Sequence, residues 1–317
     1  MGRSLGVVMD PINGIKPAKD TSLGLLLAAQ RVGWALWYME LPDLELGAGR
    51  AYARMRPVIV YDDEDDWYRL GEPETHDLGS LDAILMRKDP PVDNTYIYAT
   101  HILEAAERAG VIVANRPAGL RDGQEKLFTA HFPDCCAASR ISMDPTALRQ
   151  FVREQGAAVL KPLDGMGGES VFAVRDGDPN TSVIIETLTA RGRRYAMAQR
   201  YLPEISAGDK RILVIDGEPV PYALARVPAA GETRGNLAAG GRGHAVALTD
   251  HDRWIADQIA PALMARGLWF AGLDVIGDHL TEVNFTSPTC LRELEKETGE
   301  AIAERVIASI EGRVAGR

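Results

Sequence analysis

The chain has 317 residues and a mass of 34.4 kDa, with 46% hydrophobic and 25% charged residues, the balance of a soluble globular protein with room for two or three domains. A formal net charge of -10 argues against non-specific nucleic-acid binding and against a basic membrane-surface patch, but leaves small anionic ligands to local arginines. No run approaches the roughly 18 apolar residues of a membrane span, and residues 1–10 lead into a strand without a secretory signal pattern, so a cytoplasmic location is expected.

Residues 5–9 are an apolar run ending at Asp10-Pro11 and predict a first strand. Helical spacing follows over 22–31, after an Asp20 or Thr21 cap. Further strands are expected at 35–39, 83–86 and 111–114, with a helix over 96–109. Segment 41–80 is acidic and poorly periodic, and reads as hairpin or loop. Strands interleaved with helices predict an α/β fold with a doubly wound parallel sheet, whose ligands bind beyond the C-terminal strand ends. Asp10, Arg87, Lys88, Asp89 and Asn115 fall there.

The texture changes near residue 122. A helix over 125–132 precedes strand-like runs at 159–161, 171–174, 183–186 and 196–201, which suggest an antiparallel α+β module. Beyond it come strands at 211–215 and 220–226, a glycine-rich loop, a helix over 250–266, a hairpin and a terminal helix. Cys135, Cys136 and Cys290 show no CxxC or Cys/His spacing, and the six histidines form no metal-ligand pattern, so reduced, incidental thiols are expected.

The hairpin Asp274-Val-Ile-Gly-Asp-His-Leu-Thr-Glu282-Val-Asn284 carries the most chemistry. Glu282 and Asn284 are two apart and share one strand face. A three-residue loop at 277–279 would set Asp274 opposite Glu282, whereas a two-residue turn would pair it with Thr281. Carboxylates and an amide oxygen on one face are the hard donors that Mg²⁺ takes alongside phosphates. Lys161 followed by Gly165, Gly167 and Gly168 gives a strand, a cation and a turn whose backbone amides suit phosphate oxygens, though it is neither a Walker loop nor a Rossmann fingerprint. An ordinary hairpin tip is the competing reading. Gln199, Tyr201 and Leu202 lie on an extended segment ending at Pro203, able to present backbone groups to a purine edge. Asp209 opens the next strand with Arg211, where a carboxylate suits a ribose hydroxyl and a guanidinium a substrate oxygen. The loop from Arg226 through Arg234 to Gly243 is long and arginine-bearing, which favours a mobile catalytic lid over a spacer.

Together these segments resemble the ATP-grasp superfamily and, within it, the bacterial glutathione synthetases. The resemblance runs nearly end to end: Val8-Met-Asp-Pro11, Met86 to Pro91, Arg121-Asp122, Glu125 to Phe128, Leu160 to Gly168, Gly208 to Arg211, Asp216 to Pro221, 231–243 and Thr281 to Cys290. It departs at Asp134 to Arg140 and is weak before residue 80. It implies three parts: an N-terminal substrate domain (1–121), a central subdomain (122–200) and a C-terminal catalytic domain (201–317) with a mobile loop at 227–243. By carry-over, Lys126 and Lys161 contact ATP phosphates and Gly165, Gly167 and Gly168 close over them. Gln199, Tyr201 and Leu202 line the adenine and Asp209 the ribose. Asp274, Glu282 and Asn284 hold two Mg²⁺ ions, with Mn²⁺ as a possible substitute. Arg211, Arg226 and Arg234 face developing charge. Arg87, Asp89, Asn284, Ser287 and Thr289, with Arg211 and Arg226, lie on the substrate side. The implied reaction joins γ-glutamylcysteine to glycine through an acyl phosphate in a cytoplasmic homotetramer. Another carboxylate–amine ligase of the superfamily is the alternative.

Overall fold

The computed structural model describes residues 2–229, 235 and 241–317. Three sheets follow one another along the chain. The first part comprises β1 (Ser4–Val8), α1 (Thr21–Arg31), β2 (Ala35–Met39), β3 (Leu44–Gly47), β4 (Arg50–Val60), β5 (Tyr68–Leu70), β6 (Glu74–Asp77), β7 (Ala83–Met86), α2 (Asn94–Arg108) and β8 (Ile112–Ala114). Its middle, in the order β2-β1-β7-β8, is parallel. All four residues of β7 are buried, as a strand covered by helices on both faces requires. Asp20 caps α1 through the Leu23 amide, and residues 21–29 of that helix are buried between the sheet and the C-terminal helix. Segment 41–80 is not a loop: β3, β5 and β6 each pair antiparallel with the long β4, which extends the sheet sideways. Its charged residues obscure the alternation because only one face of β4 is covered.

The second part holds α3 (Pro117–Asp122), β9 (Ser139–Ser142), α4 (Pro145–Gln155), β10 (Ala157–Pro162), β11 (Phe172–Arg175), α5 (Thr181–Leu188) and β12 (Ala196–Arg200). Its sheet, β11-β10-β12-β9, is antiparallel throughout. Two sequence expectations fail here, and one helix is additional. Residues 183–186 are helical, within α5, because a short apolar run does not separate helix from buried strand. The helix expected over 125–132 is a short 3₁₀ helix, Leu127–His131. Helix α4, capped by Asp144 and opened by Pro145, was not anticipated. Leu148, Phe151, Leu160 and Ile185 belong to a core that this sheet keeps to itself.

The third part comprises β13 (Asp209–Ile215), β14 (Glu218–Val227), β15 (Arg242–Ala247), α6 (Asp250–Ala265), β16 (Phe270–Ile276), β17 (His279–Asn284), α7 (Leu291–Thr298) and α8 (Ile302–Ala315). The sheet order is β15-β14-β13-β16-β17, all antiparallel. Two hydrophobic cores run continuously from the first sheet into the third, so these two parts are packed as one body. Among the described residues no helix is long and apolar enough to cross a membrane.

Candidate active site

The three sheets converge on a cleft of about 1090 Å³. Most site residues expected from the sequence line it; Lys88 and Asn115 do not, Asn115 being buried on the Phe270 and Phe285 backbone, and Arg234 lies outside the described residues together with most of the 227–243 loop.

Strand register explains the polar wall of this cleft. Asp209 and Arg211 lie two apart on β13 and share a face. Asp209 is opposite Arg226 of β14, and Arg211 is opposite Asp274 of β16. Asp274 is in turn opposite Glu282 of β17. One face therefore carries two arginine–aspartate pairs across β14, β13 and β16, with Glu282 of β17 beside Asp274. Arg226 donates to Asp209 Oδ2 at 2.6 Å and reaches Asp274 Oδ2 at 3.0 Å. Arg211 grips Asp274 through Nε and through its second terminal nitrogen at 2.9 Å, and donates its other terminal nitrogen to Thr289 Oγ1 at 3.2 Å. All four charged groups are buried. Burial pushes the Asp274 carboxyl up, but the guanidiniums of Arg211 and Arg226 outweigh it and hold the group below the usual carboxylate range. For Asp209, burial wins over the pull of Arg226 and raises it to about 6.

The turn of the 274–284 hairpin differs from the expected one. Ile276 pairs with His279 across a two-residue turn at Gly277 and Asp278, not a three-residue loop. That turn alone would set Asp274 against Thr281. A β-bulge at Thr281 absorbs the extra residue and brings Asp274 opposite Glu282. The bulge has a use: the Thr281 carbonyl accepts from Lys161 Nζ at 3.4 Å, and Thr281 Oγ1 donates to the Asp274 carbonyl at 3.1 Å.

The facing wall carries the lysines. Lys161 Nζ also donates to Gln199 Oε1 at 3.1 Å, so the described partners of this buried ammonium are neutral oxygens. Burial holds it below the usual lysine range. Lys126, likewise buried, donates to Gly165 O at 2.7 Å and to Glu282 Oε1 at 2.8 Å. Gly167 and Gly168 adopt φ of 62° and 81°, a left-handed turn that glycine takes without strain. Among the described residues Gln199 Nε2 and Asp209 Oδ1 are buried without a hydrogen-bond partner, as groups awaiting a ligand often are.

On the first-sheet side, Arg87 follows β7 and turns its nitrogens into protein. Nε donates to Ser22 Oγ at 3.0 Å and a terminal nitrogen to Pro288 O at 2.9 Å, while the remaining nitrogen is enclosed. It braces the 287–289 segment, and Ser287 Oγ returns a bond to the Arg87 carbonyl at 3.3 Å. Asp89 borders the cleft, its amide donating to Asp10 Oδ2 at 2.9 Å. The sequence reading gives no role to Gln124 and none beyond motif membership to Glu125, yet both tie parts of the cleft together.

The donor set suits an oxygen-seeking divalent cation in part. Glu282 keeps 22% of its side chain exposed, and among the described residues Asn284 bonds through its amide nitrogen, to Gly272 O at 3.4 Å, which leaves its carbonyl oxygen for a cation. Asp274 has both oxygens in the hold of arginines. Among the described residues no group of three or more His, Cys, Asp or Glu side chains gathers as a metal cluster. A cation such as Mg²⁺, which draws most ligands from water and phosphate, fits two protein oxygens.

Residues 4–121 match the family described as prokaryotic glutathione synthetase, N-terminal domain, and residues 125–299 its ATP-grasp domain. The glutathione synthetase of Pseudomonas syringae pv. tomato is 56% identical over 317 residues, covering 100% of this chain and 99% of that protein. That of Vibrio parahaemolyticus is 53% identical over 312 residues, 98% of this chain and 99% of the other. Solved structures with the same fold include the ATP-grasp ligase PsnB complexed with precursor peptide PsnA2 and AMPPNP (TM-score 0.63, 17% identity, 98% of both chains). Another is the D-cycloserine synthetase DcsG (TM-score 0.65, 15% identity, 98% of this chain and 99% of that one). With residues 4–121 and 125–299 matched and over half of its residues shared along the full length of such relatives, the chain belongs to the prokaryotic glutathione synthetase family and has the ATP-grasp fold.

Proposed function

We propose that the protein catalyses the glutathione synthetase reaction, the ATP-dependent ligation of γ-glutamylcysteine and glycine with release of ADP and phosphate. Identity of 53–56% along whole chains of that function carries the reading. In the first step a cysteinyl carboxylate oxygen attacks the γ-phosphorus and the bond to the β–γ bridging oxygen breaks. In the second the glycine amine attacks the acyl-phosphate carbonyl, loses a proton, and phosphate departs.

The residues divide the work by charge. Lys126 and Lys161, held on neutral oxygens and one carboxylate, take the phosphates. Gln199, Tyr201 and Leu202 receive the base, and Asp209 the ribose. Arg211 and Arg226 stabilise negative charge that grows on the transferring group, from fixed positions that need no reorganisation. Glu282 and Asn284 would hold a divalent cation, beside Asp274, whose oxygens Arg211 and Arg226 keep in place. When bound, that cation neutralises phosphate charge and aligns donor and acceptor oxygens. Arg87 acts on the substrate side by bracing 287–289. Three domains divided near 121 and 200, a cytoplasmic location and a homotetramer complete the reading.

The test is phosphate release from ATP and Mg²⁺ with γ-glutamylcysteine, glycine added or withheld. Fast release with both substrates is expected. Release only with other acceptors or dipeptides would keep the ligase chemistry and overturn the substrate.

A further inference from the structure

β17 is the outermost strand of its sheet, so half of its backbone groups face away from β16. Something must satisfy them, because it is this strand that carries Glu282 and Asn284. Cys136 bridges Leu280 at one end of that edge, and the stretch 124–126 serves the end that carries the site residues. The Glu125 carbonyl accepts from the Val283 amide at 3.1 Å. Its carboxylate Oε1 accepts three more bonds: from the Phe285 amide at 2.8 Å, the Thr286 amide at 3.0 Å and Thr286 Oγ1 at 2.9 Å. Glu125 thus imitates a neighbouring strand, with main chain and side chain both accepting.

The residues on either side of it join the other wall. Gln124 Nε2 donates to the Leu163 carbonyl, before the glycine-rich turn, while Gln124 Oε1 accepts from the amides of Lys126 at 3.0 Å and Leu127 at 2.7 Å. Lys126 Nζ then spans Gly165 O and Glu282 Oε1. Three consecutive side chains therefore connect the β17 edge to the phosphate-facing turn. Gly123, just before them, passes so close to Phe285 that a Cβ there would lie 2.4 Å from the ring, so the approach is built into the chain.

We infer that Glu125 is a positioning residue for the reaction: by clamping 283–286 it fixes Glu282 and Asn284 against Lys126, and so sets the distance between the cation-holding and phosphate-holding groups. The inference rests on the ATP and divalent-cation reading above. An error of an ångström in such a constellation costs on the order of a hundredfold in rate.

The test compares Glu125→Ala with Glu125→Gln, which keeps a carbonyl oxygen at the same reach. We expect Glu125→Ala to lower kcat roughly a hundredfold and to raise the Mg²⁺ concentration for half-maximal rate roughly tenfold. Glu125→Gln should stay within about fivefold of wild type on both, since a neutral acceptor replaces a charged one. Without any ligand, hydrogen exchange at the Phe285 and Thr286 amides should accelerate in the alanine variant and stay slow in the glutamine variant. Thr286→Val removes one donor of the clamp and should shift the Mg²⁺ midpoint roughly threefold, which keeps the inference testable if Glu125→Ala does not fold. Wild-type kcat and Mg²⁺ midpoint in a folded Glu125→Ala would overturn the inference. So would a Glu125→Gln as impaired as the alanine variant, since the charge itself would then be at work. Wild-type protein assayed alongside separates the two readings: if it releases no phosphate, the proposed function fails, and the exchange data still judge the clamp.

Discussion

The two charged walls of the cleft are built on opposite principles. On the third sheet, two guanidiniums meet two carboxylates and the wall is neutral before any ligand arrives. On the facing side, among the described residues, two ammoniums meet several neutral oxygens and one carboxylate, Glu282, that reaches over from β17, which leaves one positive charge in excess. A buried ion pair is costly to break because the survivor is left uncompensated. A buried cation on neutral partners is costly to keep and gains from an incoming anion. The arginine wall is thus a stable framework, and the lysine wall gains from an incoming anion, as the proposed phosphate contact requires.

The largest break should come from Glu282, the carboxylate shared by both walls. Glu282→Gln is expected to lower turnover at least about a hundredfold with the circular-dichroism spectrum unchanged. Turnover above a tenth of wild type would remove Glu282 from the cation site. Next, Arg226→Met strands Asp209 and weakens the hold on Asp274, so unfolding in denaturant should show a loss of about 3–5 kcal/mol. Adding Asp209→Asn should recover part of it. A stability loss under about 1 kcal/mol would mean that the wall is solvated, and the contrast with the lysines would collapse.

Lys161→Met should do the reverse. Isothermal titration is expected to show ATP binding weakened roughly tenfold to a hundredfold, with stability unchanged or higher because a buried cation is gone. The smallest effect is a proton count. The folded Lys161 titrates below the usual lysine value of 10.5. Between its lowered value and 10.5 the unfolded chain binds more protons, so stability rises with pH in that window. Phosphate beside the ammonium restores the proton, so ATP binding at alkaline pH should take up a fraction of a proton, detectable in buffers of different ionisation enthalpy. Lys161→Met should abolish the uptake.

Much of the first sheet was legible because buried parallel strands such as 35–39 and 83–86 are unbroken apolar runs. The site residues were legible as motifs, and those among the described residues that the family motifs carry line one cleft. Their partnerships were not. The pairing of Arg226 with Asp209, or of Arg211 with Asp274, depends on register between strands many residues apart, which no local pattern encodes. Residues 183–186 misled for a related reason: four apolar or long side chains fit α5 and a strand equally well until the packing of Ile185 decides. Glu125 was hidden because its work is done on backbone amides some 160 positions away, and those leave no trace in residue type.

The bulge at Thr281 separates two things that substitutions cannot. Removing that residue outright would leave a regular two-residue hairpin in which Asp274 still faces Glu282, so the carboxylate pair would survive. What would vanish is the carbonyl turned out of the ladder toward Lys161. Here chain length, independent of side-chain identity, carries information: one extra link of backbone supplies an acceptor for Lys161 from within the strand that carries Glu282 and Asn284.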